Sequence, residues 1–194
     1  MRVITGLYKG RILKTVKDLS VRPATDRVKQ TIFNMLVNRI DMKGIRVLDL
    51  FAGSGSLGIE ALSRGAGHVT FVESDQEAAR SIEQNIGTLG CEEQTTIEET
   101  DAMYFVSHVR PAFDLIFADP PYAFDRTQNI PEIIFERNIL KPQGYLVIEH
   151  TPDLHFVPTS LYDAGPEKKF GRTLVTFFQP RSANDMSHST NGHS

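Results

Sequence analysis

The sequence predicts an α/β fold in which helices cover both faces of a mostly parallel β-sheet. Short β-rich runs alternate with amphipathic stretches after Gly44, and a glycine-rich loop follows the first of these runs. Such alternation is typical of parallel sheets, because two parallel strands need a crossover connection. The last β-rich run has no helix before it, so we expect that strand to enter through a hairpin and to lie antiparallel.

Six runs rich in β-branched and aromatic residues are strand candidates. They are Arg46 to Phe51, His68 to Glu73, Thr95 to Thr100, Phe113 to Ala118, Gly144 to His150 and Arg172 to Phe178. Helices are predicted at Ser56 to Arg64, Gln76 to Leu89 and Pro131 to Asn138. Glu167 to Gly171 is predicted to be the turn before the last strand.

The residues before the sheet predict a small appendage. A hairpin is expected from Arg2 to Leu13, followed by an amphipathic helix whose apolar face begins at Val28 and whose N-cap is Thr25 or Asp26. The polar C-terminal residues predict a disordered tail. The expected division is therefore a hairpin and helix over 1–43, an α/β domain over 44–180 and a tail over 181–194.

The charge of the chain is unevenly distributed. Residues 1–46 contain eleven Lys or Arg and three Asp, whereas the remainder contains ten basic and twenty-one acidic residues, for a net charge of -3. The basic N-terminal quarter can contact a polyanion locally, since salt screens the distant acids. Charge alone fits a solvated basic face equally well.

Other features of the composition narrow the class of protein. No apolar run approaches the roughly 18 residues that span a bilayer, and the first residues are too polar for a secretory signal. Cys91, the only cysteine, cannot form an internal disulfide. Histidines show no ligand spacing, so no metal site is predicted. We expect a cytoplasmic monomer that contacts no membrane.

The loop after the first strand predicts a nucleotide-cofactor site. Its glycines allow a sharp turn and close backbone approach, and Glu73 ends the second strand twenty residues after Gly53, where it can accept both ribose hydroxyls. A dinucleotide such as NAD fits the same pattern. Asp49 favours S-adenosylmethionine, because a carboxylate at the end of the first strand repels a pyrophosphate and attracts an ammonium group. The predicted cofactor-binding residues are Asp49, Phe51, Ala52, Gly53, Ser54, Gly55, Glu73, Ser74, Asp101 and Ala102.

Asp101 and Ala102 are expected at the adenine. The carboxylate of Asp101 can accept from the adenine amine while the amide of Ala102 donates to a ring nitrogen. A solvated loop aspartate explains Asp101 equally well.

The segment Asp119-Pro120-Pro121-Tyr122, after an apolar strand, predicts the reacting site. An exocyclic base amine is a poor nucleophile, because its lone pair is delocalised into the ring. The carboxylate of Asp119 and the carbonyl of Pro120 can accept its two N–H bonds and direct the lone pair at a methyl donor. The prolines stiffen the loop, and Tyr122 can stack on the base. A rigid turn is the simpler alternative.

Longer stretches make a family resemblance specific. Arg22-Pro23-Ala24-Thr25-Asp26-Arg27-Val28-Lys29, and Glu60 to Ala66 after the glycine loop, resemble the bacterial 16S ribosomal RNA guanine-N2 methyltransferase family. The likeness runs from about Arg2 to Phe178 and includes Phe170-Gly171-Arg172-Thr173; the family usually has threonine where this chain has Ala24. The Asp119 to Tyr122 loop itself resembles the wider amino-methyltransferase class.

The resemblance implies a Rossmann-like class I methyltransferase fold with a seven-stranded sheet. It also implies transfer of a methyl group from S-adenosylmethionine to the N2 amine of a guanine in 16S rRNA, with the small ribosomal subunit or its assembly intermediate as substrate. The basic N-terminal part then becomes an rRNA-contacting appendage. The candidate RNA-binding residues are Arg22, Arg27, Lys29, Lys9 and Arg11.

Three alternatives remain open. A related enzyme methylates another planar amine, either adenine N6 in DNA or RNA or a glutamine in a protein. An NAD-dependent oxidoreductase explains the glycine loop but not Asp119 to Tyr122. A non-enzymatic RNA-binding module explains the basic arm but not the glycine loop.

Overall fold

The structure is a computed structural model of the chain. It describes residues 1–15, 24–110 and 112–181. The strands of its sheet are β1 (Arg46–Leu50), β2 (His68–Glu73), β3 (Thr95–Glu99), β4 (Phe113–Ala118), β5 (Leu140–His150), β6 (Tyr162–Phe170) and β7 (Thr173–Pro180). They are arranged in the order β3-β2-β1-β4-β5-β7-β6. The first five strands are parallel to one another, and β7 is antiparallel to β5 and β6. The predicted, mostly parallel seven-stranded sheet with an antiparallel last strand is confirmed.

Helices pack on both faces of the sheet, as the alternation predicts. They are α1 (Ala24–Leu36), α2 (Ser56–Ser63), α3 (Gln76–Leu89), α4 (Ala102–His108) and α5 (Ile130–Glu136). Apolar residues of α1, α2 and α3 form one buried cluster with the sheet, and those of α4 and α5 form a second. Neighbouring residues of β1 divide between the clusters, Val47 in the first and Leu48 in the second, because successive strand side chains point to opposite faces.

The predicted N-terminal hairpin is present in minimal form. Arg2 and Ile12 form an antiparallel bridge, and the Val3 amide donates to the carbonyl of Arg11 at 2.9 Å. Val3 and Leu13 are buried in the same cluster as α1 and α2. The hairpin is therefore packed into the core of the α/β fold.

Several elements differ from the prediction. The seven-residue helix α4 was not predicted. β6 includes most of the segment Glu167 to Gly171 that was predicted to be a turn, and the turn consists of only the two residues between β6 and β7. α1 begins at Ala24 and β5 at Leu140, both earlier than expected. The predicted tail, apart from residue 181, lies outside the described residues.

Candidate functional site

The carboxyl ends of β1, β2 and β4 meet at one edge of the sheet. Leu50 pairs with Val72 of β2 and with Ala118 of β4, so the three strands end in register. Beyond these pairs, the Ala52 amide donates to the carbonyl of Val72 at 3.1 Å, and the Asp119 amide approaches the carbonyl of Leu50 at 3.5 Å. The glycine loop and the Asp119 to Tyr122 loop therefore lie side by side at the edge where α/β sheets bind ligands.

The glycine loop reverses the chain through left-handed backbone conformations. The φ angles are +56° at Phe51, +55° at Gly53 and +73° at Gly55. A non-glycine residue rarely adopts such an angle, and the strain is often found at functional sites. The ring of Phe51 packs edge-on against Phe124, with centroids 5.1 Å apart. This contact ties the strained residue to the segment that follows Tyr122.

Glu73 is held by the loop that it faces. Its Oε2 accepts a hydrogen bond from the Gly53 amide at 2.7 Å, and its Oε1 accepts from the Asp75 amide at 2.8 Å. A carboxylate oxygen has two acceptor directions, so each oxygen can still accept from a further donor such as a ribose hydroxyl. Ser74, between Glu73 and Asp75, is exposed at the same edge.

Asp49 is a buried carboxylate beneath the loop. Its side chain accepts from the Gly58 amide at 2.9 Å, which places it at the N-terminal turn of α2, and only 2% of the residue is exposed. Burial raises the pKa of Asp49 to about 8; the hydrogen bond from Gly58 lowers it, and the nearby charges of Asp119 and Glu73 raise it. Three carboxylates predicted as site residues are thus brought together.

Asp101 caps a helix at the end of the adjacent strand. Its Oδ1 accepts from the Tyr104 amide at 2.8 Å, so part of its role is to begin α4. Ala102 is the first residue of that helix. The first amides of a helix have no partner within it, so a donor at this position is available to a ligand.

The Asp119 to Tyr122 loop is closed by a turn. The Phe124 amide donates to the Pro121 carbonyl at 2.8 Å, which leaves the Pro120 carbonyl outside the turn hydrogen bond. Asp119 is exposed and Pro120 is buried. Tyr122 is 54% exposed, and its hydroxyl lies 3.2 Å from that of Thr173. The loop therefore presents a carboxylate, a backbone carbonyl and an aromatic ring beside the glycine loop.

Lys29 is not placed as its predicted role in RNA binding requires. Only 3% of it is exposed, and its Nζ donates to the carbonyl of Arg2 at 2.7 Å and to Ser56 Oγ at 2.9 Å. Glu60 Oε2 lies 3.9 Å from the same nitrogen. Burial lowers the pKa of Lys29, whereas the neighbouring charge of Glu60 raises it. Because the ammonium is enclosed by protein acceptors, the structure does not support Lys29 as an RNA-binding residue.

The other candidate RNA residues lie at different distances from the site. Arg27 is exposed in the first turns of α1, two residues before Lys29, whose Nζ donates to Ser56 Oγ at the glycine-loop end of α2. Lys9 and Arg11 are exposed near the hairpin tip, where the Leu7 amide donates to the carbonyl of Ser63 at the far end of α2. An eight-residue helix is about 12 Å long, so the tip is offset from the glycine loop by about that distance. Arg22 lies outside the described residues.

Sequence reasoning missed the residues that attach the hairpin. The fully buried Glu60 accepts from the amides of Ile4 at 2.7 Å and Thr5 at 3.1 Å, and pairs with Arg64 at 2.8 Å. Asn85 joins Lys14 to the glycine loop, because its amide nitrogen donates to the carbonyls of Lys14 at 3.0 Å and Ser54 at 3.1 Å. Both are polar residues on the buried face of a helix, which is the signal that could have found them.

His150 is a packing residue at the end of β5. It is 5% exposed, lies 2.8 Å from Thr176 Oγ1 and packs edge-on against Phe156. Burial lowers the pKa of His150.

Three further observations concern the rest of the described chain. A groove of about 640 Å³ lies at the opposite end of α2, between Thr5, Val37 and Arg64, and contains none of the predicted site residues. Within residues 1–15, 24–110 and 112–181, no cluster of three His, Cys, Asp or Glu side chains could hold a metal ion. No helix in those segments is both long and apolar enough to cross a membrane.

Comparisons with known proteins agree with this geometry. The family model described as conserved hypothetical protein 95 matches residues 1–179. The ribosomal RNA small subunit methyltransferase D of Haemophilus influenzae is 36% identical over 182 residues, which are 92% of this chain and 93% of that protein. The protein of the same name from Escherichia coli K12 is 36% identical over 149 residues, or 77% of this chain and 71% of that protein.

Solved structures show the same fold. One from Escherichia coli has a TM-score of 0.83 and 27% identity, covering 94% of this chain and 98% of that chain. The S-adenosylmethionine-dependent methyltransferase from Agrobacterium tumefaciens has a TM-score of 0.61 and 20% identity, covering 84% of this chain and 63% of that chain, and shows the fold alone. The predicted class I methyltransferase fold is confirmed. Because the family model spans almost the whole chain and both relatives cover more than two thirds of it, this chain belongs to the family of ribosomal RNA small subunit methyltransferase D.

Proposed function

We propose that this chain transfers a methyl group from S-adenosylmethionine to the N2 amine of a guanine in 16S rRNA, within an assembling small ribosomal subunit. The observation that carries the proposal is the adjacency of the glycine loop and the Asp119 to Tyr122 loop at one sheet edge. The names of the two relatives support rRNA as the substrate class. The choice of guanine N2 is supported by the family resemblance of the sequence.

The residues around the glycine loop fit S-adenosylmethionine. Glu73 offers fixed acceptors for the ribose hydroxyls, and the N-terminal end of α4 offers Asp101 and the Ala102 amide to the adenine. Asp49 is a buried carboxyl group near Asp119 and Glu73, and its raised pKa shows that its charged form is disfavoured without a ligand; a cationic ligand would favour that charged form. An ammonium and a sulfonium supply the positive charge, and a pyrophosphate does not. When bound, the cofactor supplies an electrophilic methyl group on a positively charged sulfur.

The Asp119 to Tyr122 loop orients the amine. The Asp119 carboxylate and the Pro120 carbonyl accept its two N–H bonds, so that the nitrogen lone pair faces the methyl carbon. As the N–C bond forms and the carbon–sulfur bond breaks, the nitrogen becomes positive and the carboxylate of Asp119 stabilises it. The nitrogen then loses a proton to water, which restores a neutral amine. Tyr122 stacks on the base and contributes about 1–3 kcal/mol to its binding.

The N-terminal residues 1–43 contribute the RNA contacts in this proposal. Arg27 is the principal candidate because it is exposed on α1, the helix that contacts the glycine-loop end of α2 through Lys29. Lys9 and Arg11 reach phosphates farther from the target base. Such contacts position the enzyme without reading the sequence. Arg22 keeps its proposed role from the sequence.

The decisive experiment is methyl transfer from tritiated S-adenosylmethionine to small ribosomal subunits from cells that lack the corresponding modification. We expect label in 16S rRNA and N2-methylguanine as the modified nucleoside after digestion. DNA, naked rRNA and total protein are offered in parallel. Label on adenine or in protein would show that another amine is the substrate and would refute methylation of guanine N2. Preferential binding of NADH over S-adenosylmethionine in calorimetry would refute the cofactor assignment.

Asp119→Ala tests the acceptor role. We expect a fall in kcat of about 10²-fold or more, as for other groups that stabilise a transition state, with little change in S-adenosylmethionine binding. Asp125→Ala is the matched control, because Asp125 is also an exposed aspartate of the loop region. Near-normal turnover of Asp119→Ala would contradict the proposed chemistry.

A further inference from the structure

The turn between β6 and β7 touches the loop that we propose to be catalytic. The hydroxyl oxygens of Tyr122 and Thr173 are 3.2 Å apart, within hydrogen-bond distance. Thr173 is the first residue of β7 and is 7% exposed. Tyr122, in contrast, is 54% exposed. The contact thus joins a well-packed hydroxyl to the tip of an open aromatic side chain.

The position of the Thr173 hydroxyl is fixed by its strand. Thr173 pairs with Phe170 across a two-residue turn, and Gly171 in that turn has a φ of +59°, a conformation that glycine adopts without strain. The next residue, Leu174, pairs with His150 at the end of β5. A β-branched side chain in such a place has few alternative rotamers, so its hydroxyl is a rigid anchor.

The other end of the Tyr122 side chain is fixed by the backbone. Pro120 and Pro121 restrict the preceding φ angles, and the hydrogen bond from the Phe124 amide to the Pro121 carbonyl closes the turn that contains Tyr122. A tyrosine side chain has several staggered χ1 rotamers. A hydrogen bond at the phenol end selects among them.

We propose that Thr173 is a positioning residue that acts through Tyr122, holding the ring in the orientation that receives the target base. This inference rests on the proposed function, since it assigns the ring a base to stack on. Before the base arrives, the ring already has its bound orientation, so less side-chain freedom is lost on binding.

A double-mutant cycle tests the coupling. Thr173→Val and Tyr122→Phe each remove one hydroxyl, and we expect each to lower kcat/KM for the ribosomal substrate about 3- to 10-fold, mainly through KM. The double variant is expected to be no worse than either single variant, because both remove the same hydrogen bond. Thr173→Ser, which keeps the hydroxyl, is expected to retain wild-type kcat/KM. Effects that multiply in the double variant, or a serine variant as impaired as the valine variant, would overturn the proposal.

A second measurement does not depend on activity. The chain has five tyrosines, so a carbon-13 tyrosine label gives a simple NMR spectrum in which Tyr122→Phe identifies the Tyr122 ring signal. Thr173→Val should shift this signal, and Thr173→Ser should not. An unchanged signal in Thr173→Val would refute the anchoring contact. If the contact is seen but the wild-type enzyme methylates no rRNA, the proposed function fails instead.

Discussion

Replacing Gly6 by alanine should undock the N-terminal hairpin from α2. Gly6 has a φ of +88°, and a Cβ built on it would lie 1.7 Å from the Ser63 carbonyl oxygen. The backbone of α2 is too rigid to move by the distance that would relieve this overlap. The hairpin tip must therefore move away from α2.

The expected loss can be worked from the contacts at the tip. Movement breaks the hydrogen bond from the Leu7 amide to the Ser63 carbonyl at 2.7 Å, and two bonds of the Ser63 hydroxyl, from the Tyr8 amide at 2.9 Å and to the Thr5 carbonyl at 2.5 Å. At about 1 kcal/mol net for each bond, the three contribute about 3 kcal/mol. The left-handed backbone adds about 1 kcal/mol for an alanine. The free energy of unfolding should fall by about 4 kcal/mol.

Gly10→Ala is the matched control. Gly10 has a φ of +83°, nearly that of Gly6, but a Cβ there would meet nothing within 4 Å. This variant should carry only the backbone cost of about 1 kcal/mol. Urea unfolding followed by circular dichroism at a fixed pH measures both variants, and hydrogen exchange at Leu7 and Tyr8, whose amides donate to Ser63, reports hairpin docking. Equal losses for the two variants, or unchanged protection of Leu7 in Gly6→Ala, would refute the steric reasoning.

Three more predictions concern charged residues. The pKa of Asp49 is raised to about 8 in the folded state and is near 3.9 in the unfolded state, so between these values Asp49 loses a proton on unfolding. Its contribution to stability is therefore complete below about pH 4 and is lost as the pH rises towards 8. Urea titrations at several pH values should show this decline in the wild type and not in Asp49→Asn, and parallel curves would contradict it. Lys29→Met should lower the free energy of unfolding by about 3 kcal/mol, since it removes the two hydrogen bonds that the buried ammonium donates to the Arg2 carbonyl and the Ser56 hydroxyl, while the salt dependence of RNA binding stays unchanged. Arg27→Met should leave the free energy of unfolding unchanged and reduce the slope of log K for RNA binding against log salt by about one. A slope as steep as that of the wild type would show that Arg27 does not contact RNA.

The parts of the fold that the sequence predicts well are those with buried, regular patterns. β2 and β4 have the predicted bounds because they are apolar runs between clear turns. β6 was missed because all but its first and last residues are exposed and it contains Gly165 and Pro166. The pairing register shifts between Ala164 and Glu167, and proline is tolerated at such an irregularity of an edge strand. An edge strand of this kind has no apolar periodicity to detect.

Some residues of the candidate site could be predicted from the sequence and others could not. The loops at the ends of β1 and β4 could be predicted because their residue types and order are specific, and the register of the strands brings them together. Charge was a poorer guide. Lys29 precedes the buried Ile32 and Phe33 by three and four residues, so helical periodicity places it on the buried face of α1 despite its charge. Thr173 is 51 positions from Tyr122 in the sequence, and only the antiparallel return of β7 brings the two together.

The N-terminal hairpin and the glycine loop share their supporting residues, which changes how the basic appendage should be understood. Asn85 bonds both Lys14 and the carbonyl of Ser54, and Lys29 bonds both the carbonyl of Arg2 and the hydroxyl of Ser56. The hairpin and the glycine loop are therefore connected by two side chains, Asn85 and Lys29. If the exposed basic residues contact rRNA as proposed, the same contacts brace the loop that holds the cofactor.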